Sequence, residues 1–240
     1  MELNKVYLGD CLEVMKDIPN KSIDMILCDL PYGTTQNKWD IAIPFELLWE
    51  RYERIIKDTC AMVFTGQSLF SAKLVLSNEE LYRYSLIWEK TKAGGFLNAN
   101  RMPLQSHEDI LVFYKKLPTY NPQMQEGKPY IKKAITDGDG GNYGRFERVG
   151  ITKVNDGIRY PKSIIRISND NHGSLHKTQK PVALFEYLIK TYTNEGDLVL
   201  DNCAGSGTTG VACRNLNRNF ILIEKEQEYV DIINKRLNLN

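Results

Sequence analysis

The stretch that most constrains this 240-residue chain lies near its C-terminal end. A short apolar run, "DLVLD", leads through Asn202, Cys203 and Ala204 into Gly205-Ser206-Gly207-Thr208-Thr209-Gly210, a G-x-G-x-x-G pattern. "GTTGVACRNL" continues with helical character, and "NFILIE" returns as a second strand ending on Glu224, 19 residues after Gly205. Strand, glycine turn, helix, strand and terminal acid make a βαβ nucleotide-binding unit: the glycines permit close backbone approach, and the acid reaches ribose hydroxyls. No Gly-Lys-Ser/Thr follows, which argues against a phosphate-cradling P-loop. Only 30 residues remain after Gly210. That is too few for the other half of a nucleotide-binding sheet, so the missing strands must lie upstream and the fold must be circularly permuted.

The upstream sequence supplies them. "SIDMILCDL" reads as a buried strand ending near Asp29. Residues 44–57, "PFELLWERYERIIK", start on a proline suited to a first helical turn and place Phe45, Leu48, Tyr52, Ile55 and Ile56 on one face. "CAMVFTG", "YSLIWEK" and "EDILVFYKK" read as strands, while "QSLFSAKLVLSNEELY", "PVALFEYLIKTY" and "KEQEYVDIINKRL" read as helices. Strands alternating with helices indicate an α/β fold with a parallel sheet. With 42% hydrophobic and 25% charged residues, the chain can bury one large core. Neither a signal-peptide pattern nor an apolar run approaching about 18 residues is present, so a soluble, cytoplasmic protein with no membrane partner is expected. The five cysteines include no C-x-x-C pair, which argues against a disulfide framework and against a metal site.

The α/β pattern fails between Lys115 and Leu175. Seven glycines fall between Gly127 and Gly157, and aromatics alternate with bases. Residues 115–175 carry eleven Lys and Arg against six Asp and Glu, although the whole chain is only +1. This reads as an insertion with its own irregular structure and a surface that faces a polyanion.

Which ligand does the glycine loop take? Asp201 adds a carboxylate at the strand end, which would repel a pyrophosphate but suits a cofactor with a positive centre. S-adenosylmethionine, an adenosine with a cationic sulfonium and no phosphates, fits. A nicotinamide-linked oxidoreductase would use the same loop, but leaves "DLPY" (Asp29 to Tyr32) and the basic insert without a purpose.

At this point a resemblance becomes specific. "DNCAGSGTTG" resembles the D-P-F-x-G-S-G-T-T motif of amino-group DNA methyltransferases, "DLPY" their D-P-P-Y motif, and "HKTQKP" (176–181) their H-P-T-Q-K-P segment. "GDCLEVMKDIPNKSIDMILCDLPY" is similar to the family's amino-terminal lead-in. Catalytic motif first, cofactor motif last and a variable region between is the order of the β class. The resemblance covers 1–115 and 175–240. It implies a circularly permuted, Rossmann-like S-adenosylmethionine-dependent methyltransferase fold: a catalytic half (1–115), a target-recognition insert (116–175) and a cofactor-binding half (176–240).

The resemblance also implies roles. Asp10, with Cys11 beside it, would contact the cofactor's adenine. Thr178, Gln179 and Lys180 would handle its methionine carboxylate. Asp201, Asn202, Cys203, Gly205, Ser206, Gly207 and Thr208 would lie under its amino-acid part, with Glu224 on the ribose. An exocyclic amine is a poor nucleophile because its lone pair is delocalised into the ring. The Asp29 carboxylate and the Leu30 carbonyl would accept its hydrogens and localise that pair. Tyr32 would stack on a base flipped out of DNA, and Pro31 would stiffen the turn. Leu30 departs from the family, which has proline there. An acid rather than serine at position 29 favours adenine N6 as target, with cytosine N4 as the alternative. Lys38, Lys132, Lys133, Arg145, Arg148, Arg159 and Arg166 are the DNA-contact candidates. His107 and Glu108 resemble a general acid/base pair, but a methylated amine loses its proton to solvent readily, so they are expected to be structural or DNA-facing. The resemblance admits a homodimer and a cognate restriction enzyme as further partners. An inactive DNA-binding module is disfavoured because Asp29, Tyr32 and the glycine loop are intact.

Overall fold

The computed structural model of the chain describes residues 1–33, 40–132, 152–169 and 179–239. It divides into two compact units, Met1–Asn121 with Ser163–Asn240, and Pro122–Lys162. In chain order the strands begin with β1 (Lys5–Leu8), β2 (Ile23–Cys28), β3 (Ile56–Gly66), β4 (Tyr82–Gly94) and β5 (Gln105–Phe113). The smaller unit holds β6 (Gln125–Glu126), β7 (Tyr130–Lys132), β8 (Lys153–Asn155) and β9 (Ile158–Arg159). β10 (Ile164–Arg166), β11 (Leu198–Asp201) and β12 (Asn219–Glu224) return to the larger one. The helices are α1 (Cys11–Val14), α2 (Phe45–Ile55), α3 (Ser68–Leu76), α4 (Val182–Tyr192), α5 (Thr208–Asn215) and α6 (Gln227–Leu237).

The larger unit is built on one eight-stranded sheet in the order β1-β12-β11-β2-β3-β5-β4-β10. Successive residues of β2 serve opposite faces. Ile26 and Cys28 pack with Leu48 and Tyr52 of α2 and Phe70 of α3, while Met25 and Leu27 pack with Leu184 and Leu188 of α4 and Ala212 of α5. A strand buried on both faces needs apolar residues at successive positions, which is why Met25 to Cys28 show no alternation; Asp24, below them, is half-buried and paired with Lys57. α2 begins after Pro44, which takes the capping position, and stops where Ile56 turns extended.

Two elements depart from the sequence expectation. β5 runs antiparallel to both β3 and β4, so the sheet is mixed rather than parallel. The ten residues between Gly94 and Gln105 hold one short 3-10 turn (Phe96–Asn98), too little for the crossover that a parallel return needs. β1 was not evident in the sequence because it is a four-residue edge strand, half-exposed along its length. It pairs in parallel with β12, setting Leu8 opposite Glu224. Among the described residues no helix is long and apolar enough to cross a membrane.

The site follows from topology. β2 and β11 are adjacent and parallel, with Met25 opposite Val199 and Ile26 opposite Leu200. From β2 the chain passes to α2 on one face, and from β11 to α5 on the other. The strand ends therefore part at a switch point, where an open α/β sheet forms its ligand crevice.

Packing fixes part of the glycine loop independently of any ligand. Gly207 sits at φ +80°, and a Cβ there would stand 2.9 Å from Cγ1 of buried Ile233 on α6. Gly207→Ala is therefore expected to destabilise the ligand-free protein by about 1–3 kcal/mol, through overpacking and left-handed strain. Denaturant titration would check it; unchanged stability would mean that α6 yields at no cost.

Candidate active site

A cavity of about 780 Å³ opens at this crevice, within the usual range for ligand sites. Its walls include Asp10, Asp29 to Tyr32, Gln179, Lys180, Asp201 to Ser206 and Glu224. Of the residues expected to bind the cofactor, Asp10, Cys11, Gln179, Lys180, Asp201 to Cys203, Gly205, Ser206, Thr208 and Glu224 come together there, while Gly207 packs against Ile233 and does not line the cavity. Thr178, with Lys38, Lys133, Arg145 and Arg148 among the DNA candidates, lies outside the described residues.

The cofactor end is organised by carboxylates that hold backbone, Asp201 and Glu224 buried and Asp10 exposed. Asp10 caps α1, accepting the Leu12 N–H at 2.8 Å, while the Gly9 N–H donates to the Glu224 carbonyl at 2.9 Å. This pairing brings the amino-terminal strand beside the last one. Glu224 Oε2 accepts the Gly205 N–H at 2.7 Å, and its Oε1 accepts those of Lys225 and Glu226 at 2.8 and 3.0 Å. Burial raises its pKa even against these three amide bonds. Asp201 accepts the Cys203 N–H at 3.1 Å and the Thr209 hydroxyl, and burial pushes its carboxyl up to about 6. Asn202 takes the Tyr52 hydroxyl at 2.7 Å. Gln179 accepts the Ser206 hydroxyl at 3.1 Å, and Arg236 of α6 donates to the Ser206 carbonyl at 2.9 Å. So Glu224 and Asp201 shape the loop itself, in addition to lining the cavity.

The other end is centred on Asp29. Its Oδ1 accepts the hydroxyls of Tyr32, at 2.9 Å, and of Thr65. Its Oδ2 accepts from the Lys180 ammonium at 2.6 Å. Tyr32 packs on Phe70 with ring centroids 4.6 Å apart, so both its hydroxyl and its ring are fixed. Burial, followed by the Asp29 and Glu108 charges, holds the Tyr32 phenol well above its ordinary range and keeps it a donor. Leu30 is buried in the core, which explains how a leucine is accommodated where the family has proline.

Three outcomes were not legible in the motifs. Thr65 touches Asp29 because β2 and β3 pair with Cys28 opposite Phe64, leaving the next residue of each side by side. Lys180, expected with the methionine carboxylate, gives its ammonium to Asp29 and lies 3.3 Å from Glu108. Glu108 is itself buried in the cavity wall, paired with Lys90 at 2.6 Å. The other DNA candidates differ among themselves. Lys132 is exposed on β7. The Arg159 guanidinium bonds Asn155 and the Lys128 carbonyl and lies 4.7 Å from the centre of the Tyr130 ring. Arg166 is held bidentately by Glu89 at 2.8 and 3.0 Å.

Thr65→Val keeps the shape of the strand end and removes one donor to Asp29. A hydrogen bond to a charged group is worth about 1.5–3 kcal/mol, so a loss of about ten- to a hundredfold is expected in the step that uses Asp29. Cofactor affinity by calorimetry should stay near wild type. An unchanged rate would show that Tyr32 and Lys180 suffice to orient the carboxylate.

Comparison with known proteins agrees with this geometry. The family model N6_N4_Mtase, described as DNA methylase, matches residues 23–235. The type II methyltransferase M1.MboII of Moraxella bovis is 28% identical over 262 residues, spanning 99% of this chain and 98% of the relative. M.HinfI of Haemophilus influenzae is 28% identical over 271 residues, spanning 98% and 68%. Among solved structures, the M1.HpyAVI–SAM complex superimposes with a TM-score of 0.68 at 28% identity, over 98% of this chain and 99% of that one. PvuII DNA methyltransferase, described as cytosine-N4-specific, reaches 0.69 at 16% identity over 98% and 93%, a likeness of fold alone. Since the match takes in the Asp29 turn, the glycine loop and the strands that join them, the chain belongs to the N6/N4 DNA methylase family.

Proposed function

We propose that this protein transfers a methyl group from S-adenosylmethionine to the exocyclic N6 amine of adenine in DNA. The observation that carries the reading is the state of Asp29. Its carboxylate stands at the end of β2 in the cavity wall, with two hydroxyls on Oδ1 and, among the described residues, the Lys180 ammonium on Oδ2.

The residues present suit the cofactor. Gly205 lines the cavity at φ +51°, and a Cβ there would meet no protein atom within 4 Å. Packing therefore leaves that space free for a ligand pressed against the backbone. Asp201 and Glu224 add negative charge suited to a cationic molecule without phosphates, and Gln179 supplies a polar partner for a carboxylate. When bound, S-adenosylmethionine supplies an electrophilic methyl: the amine lone pair forms the C–N bond, the C–S electron pair stays on sulfur, and the nitrogen sheds one proton to solvent.

The chain's own residues prepare the amine. Asp29 Oδ2 accepts one N–H, and the Leu30 carbonyl accepts the other. This draws the lone pair out of conjugation and aims it. Tyr32, held at its hydroxyl, stacks on a base that has left the duplex. Holding both reactants in line accounts for most of the acceleration, and no covalent enzyme intermediate is needed. The exposed Lys132 suits a phosphate contact, which positions DNA without reading its sequence. Cytosine N4 offers the same amine beside a ring nitrogen and is the second reading; the acid at position 29 favours adenine.

Nucleoside mass spectrometry of DNA from cells with and without this gene separates the readings. N6-methyldeoxyadenosine should appear only with the gene. N4-methyldeoxycytidine in its place would reassign the base, and neither would overturn the proposal.

A further inference from the structure

Beyond Asp29, the cavity wall carries a line of alternating charge that the transfer scheme leaves without a task. Lys90 Nζ is 2.6 Å from Glu108 Oε1, Glu108 Oε2 is 3.3 Å from Lys180 Nζ, and Lys180 Nζ is 2.6 Å from Asp29 Oδ2. Glu108 is 5% exposed, and among the described residues its buried Oε2 has no hydrogen bond of its own. Desolvating four charges is costly, and well-packed apolar residues are often at least as stable, so stability alone does not explain the arrangement.

The line acts on the one oxygen that matters. Asp29 Oδ1 is saturated by two hydroxyls, so the target amine must use Oδ2, where Lys180 already donates. An ammonium given wholly to Asp29 would drain the negative charge that localises the amine's lone pair. A second carboxylate competing for the same ammonium restores it. We propose that Glu108 is a positioning residue for methyl transfer: by sharing Lys180 with Asp29, it keeps Oδ2 a strong and fixed acceptor for the amine. The proposal rests on the methyl-transfer reading above. Burial alone would lower the Lys180 pKa, but Asp29 and Glu108 outweigh it and raise it, so the shared group is a full cation. Lys90 is the counterweight, since it draws Glu108 away from Lys180.

The two ends of the line then have opposite effects, which structural damage would not produce. Glu108→Gln keeps size and loses charge, leaving Lys180 to Asp29. Single-turnover transfer should slow by about tenfold or more, with cofactor affinity by calorimetry and melting temperature near wild type. Lys90→Gln frees Glu108 for Lys180, so transfer should rise above the wild-type rate. Glu108→Gln at the wild-type rate would overturn the proposal. So would Lys90→Gln slowed in parallel with Glu108→Gln, which would make the line a structural brace. If Glu108→Gln does not fold, Lys90→Gln decides: a rate above wild type supports the proposal, and a rate at or below it overturns it. Wild-type protein that transfers no methyl to any base would remove the methyl-transfer reading, and this proposal with it.

Discussion

The parallel pairing of β2 with β11 is the contact on which the site depends. Asp29 and Asp201 are 172 residues apart in the chain, yet the strands that carry them lie side by side, with Ile26 opposite Leu200. Neither strand has a polar side chain at these paired positions, so the register is held by burial on both faces, with one side-chain bond below them, from the Leu198 N–H to Asp24 at 3.0 Å. A slip of one residue would exchange the faces and send Met25 and Leu27 to the wrong set of helices. Catalytic precision at the crevice is thus inherited from hydrophobic packing well below it. β1 against β12 does the same for Asp10 and Glu224 at the edge.

Above the sheet, the site is made by satisfying buried polar groups. Asp201 and Glu224 bond backbone N–H groups of the loops that they border, and Asp29 binds two hydroxyls and an ammonium. Such groups are expensive to bury unpaired, so each bond also fixes a direction. One oxygen of Asp29 is spoken for by Tyr32 and Thr65, and the other is left facing the cavity. The same logic explains why Lys180 is seen on Asp29: a buried ammonium takes the nearest carboxylates on offer.

Much of this was legible in sequence. The apolar runs and the glycine loop located every central strand, and the β2 and β3 strands that complete the nucleotide-binding sheet stand before the glycine loop in the chain. The DLPY and DNCAGSGTTG motifs named the acid, the tyrosine and the loop. What stayed hidden depends on strand pairing. Thr65 is an ordinary residue within "CAMVFTG", and Glu108 was expected to be structural or DNA-facing; only the β2–β3–β5 register sets Thr65 against Asp29 and Glu108 in the cavity wall. β5 read correctly as a strand, but its direction follows from a short connection rather than from its own composition. Arg159 and Arg166 looked like free bases, and their internal partners Asn155 and Glu89 carry no motif.

The central claim is that Asp29 serves the target amine and not the cofactor. Asp29→Ala separates these roles when tritium transfer to DNA and calorimetric binding of S-adenosylmethionine are measured on the same preparation. The account predicts that transfer is abolished while cofactor affinity stays close to wild type. Wild-type turnover in the variant, or loss of transfer that merely follows loss of cofactor binding, would contradict it.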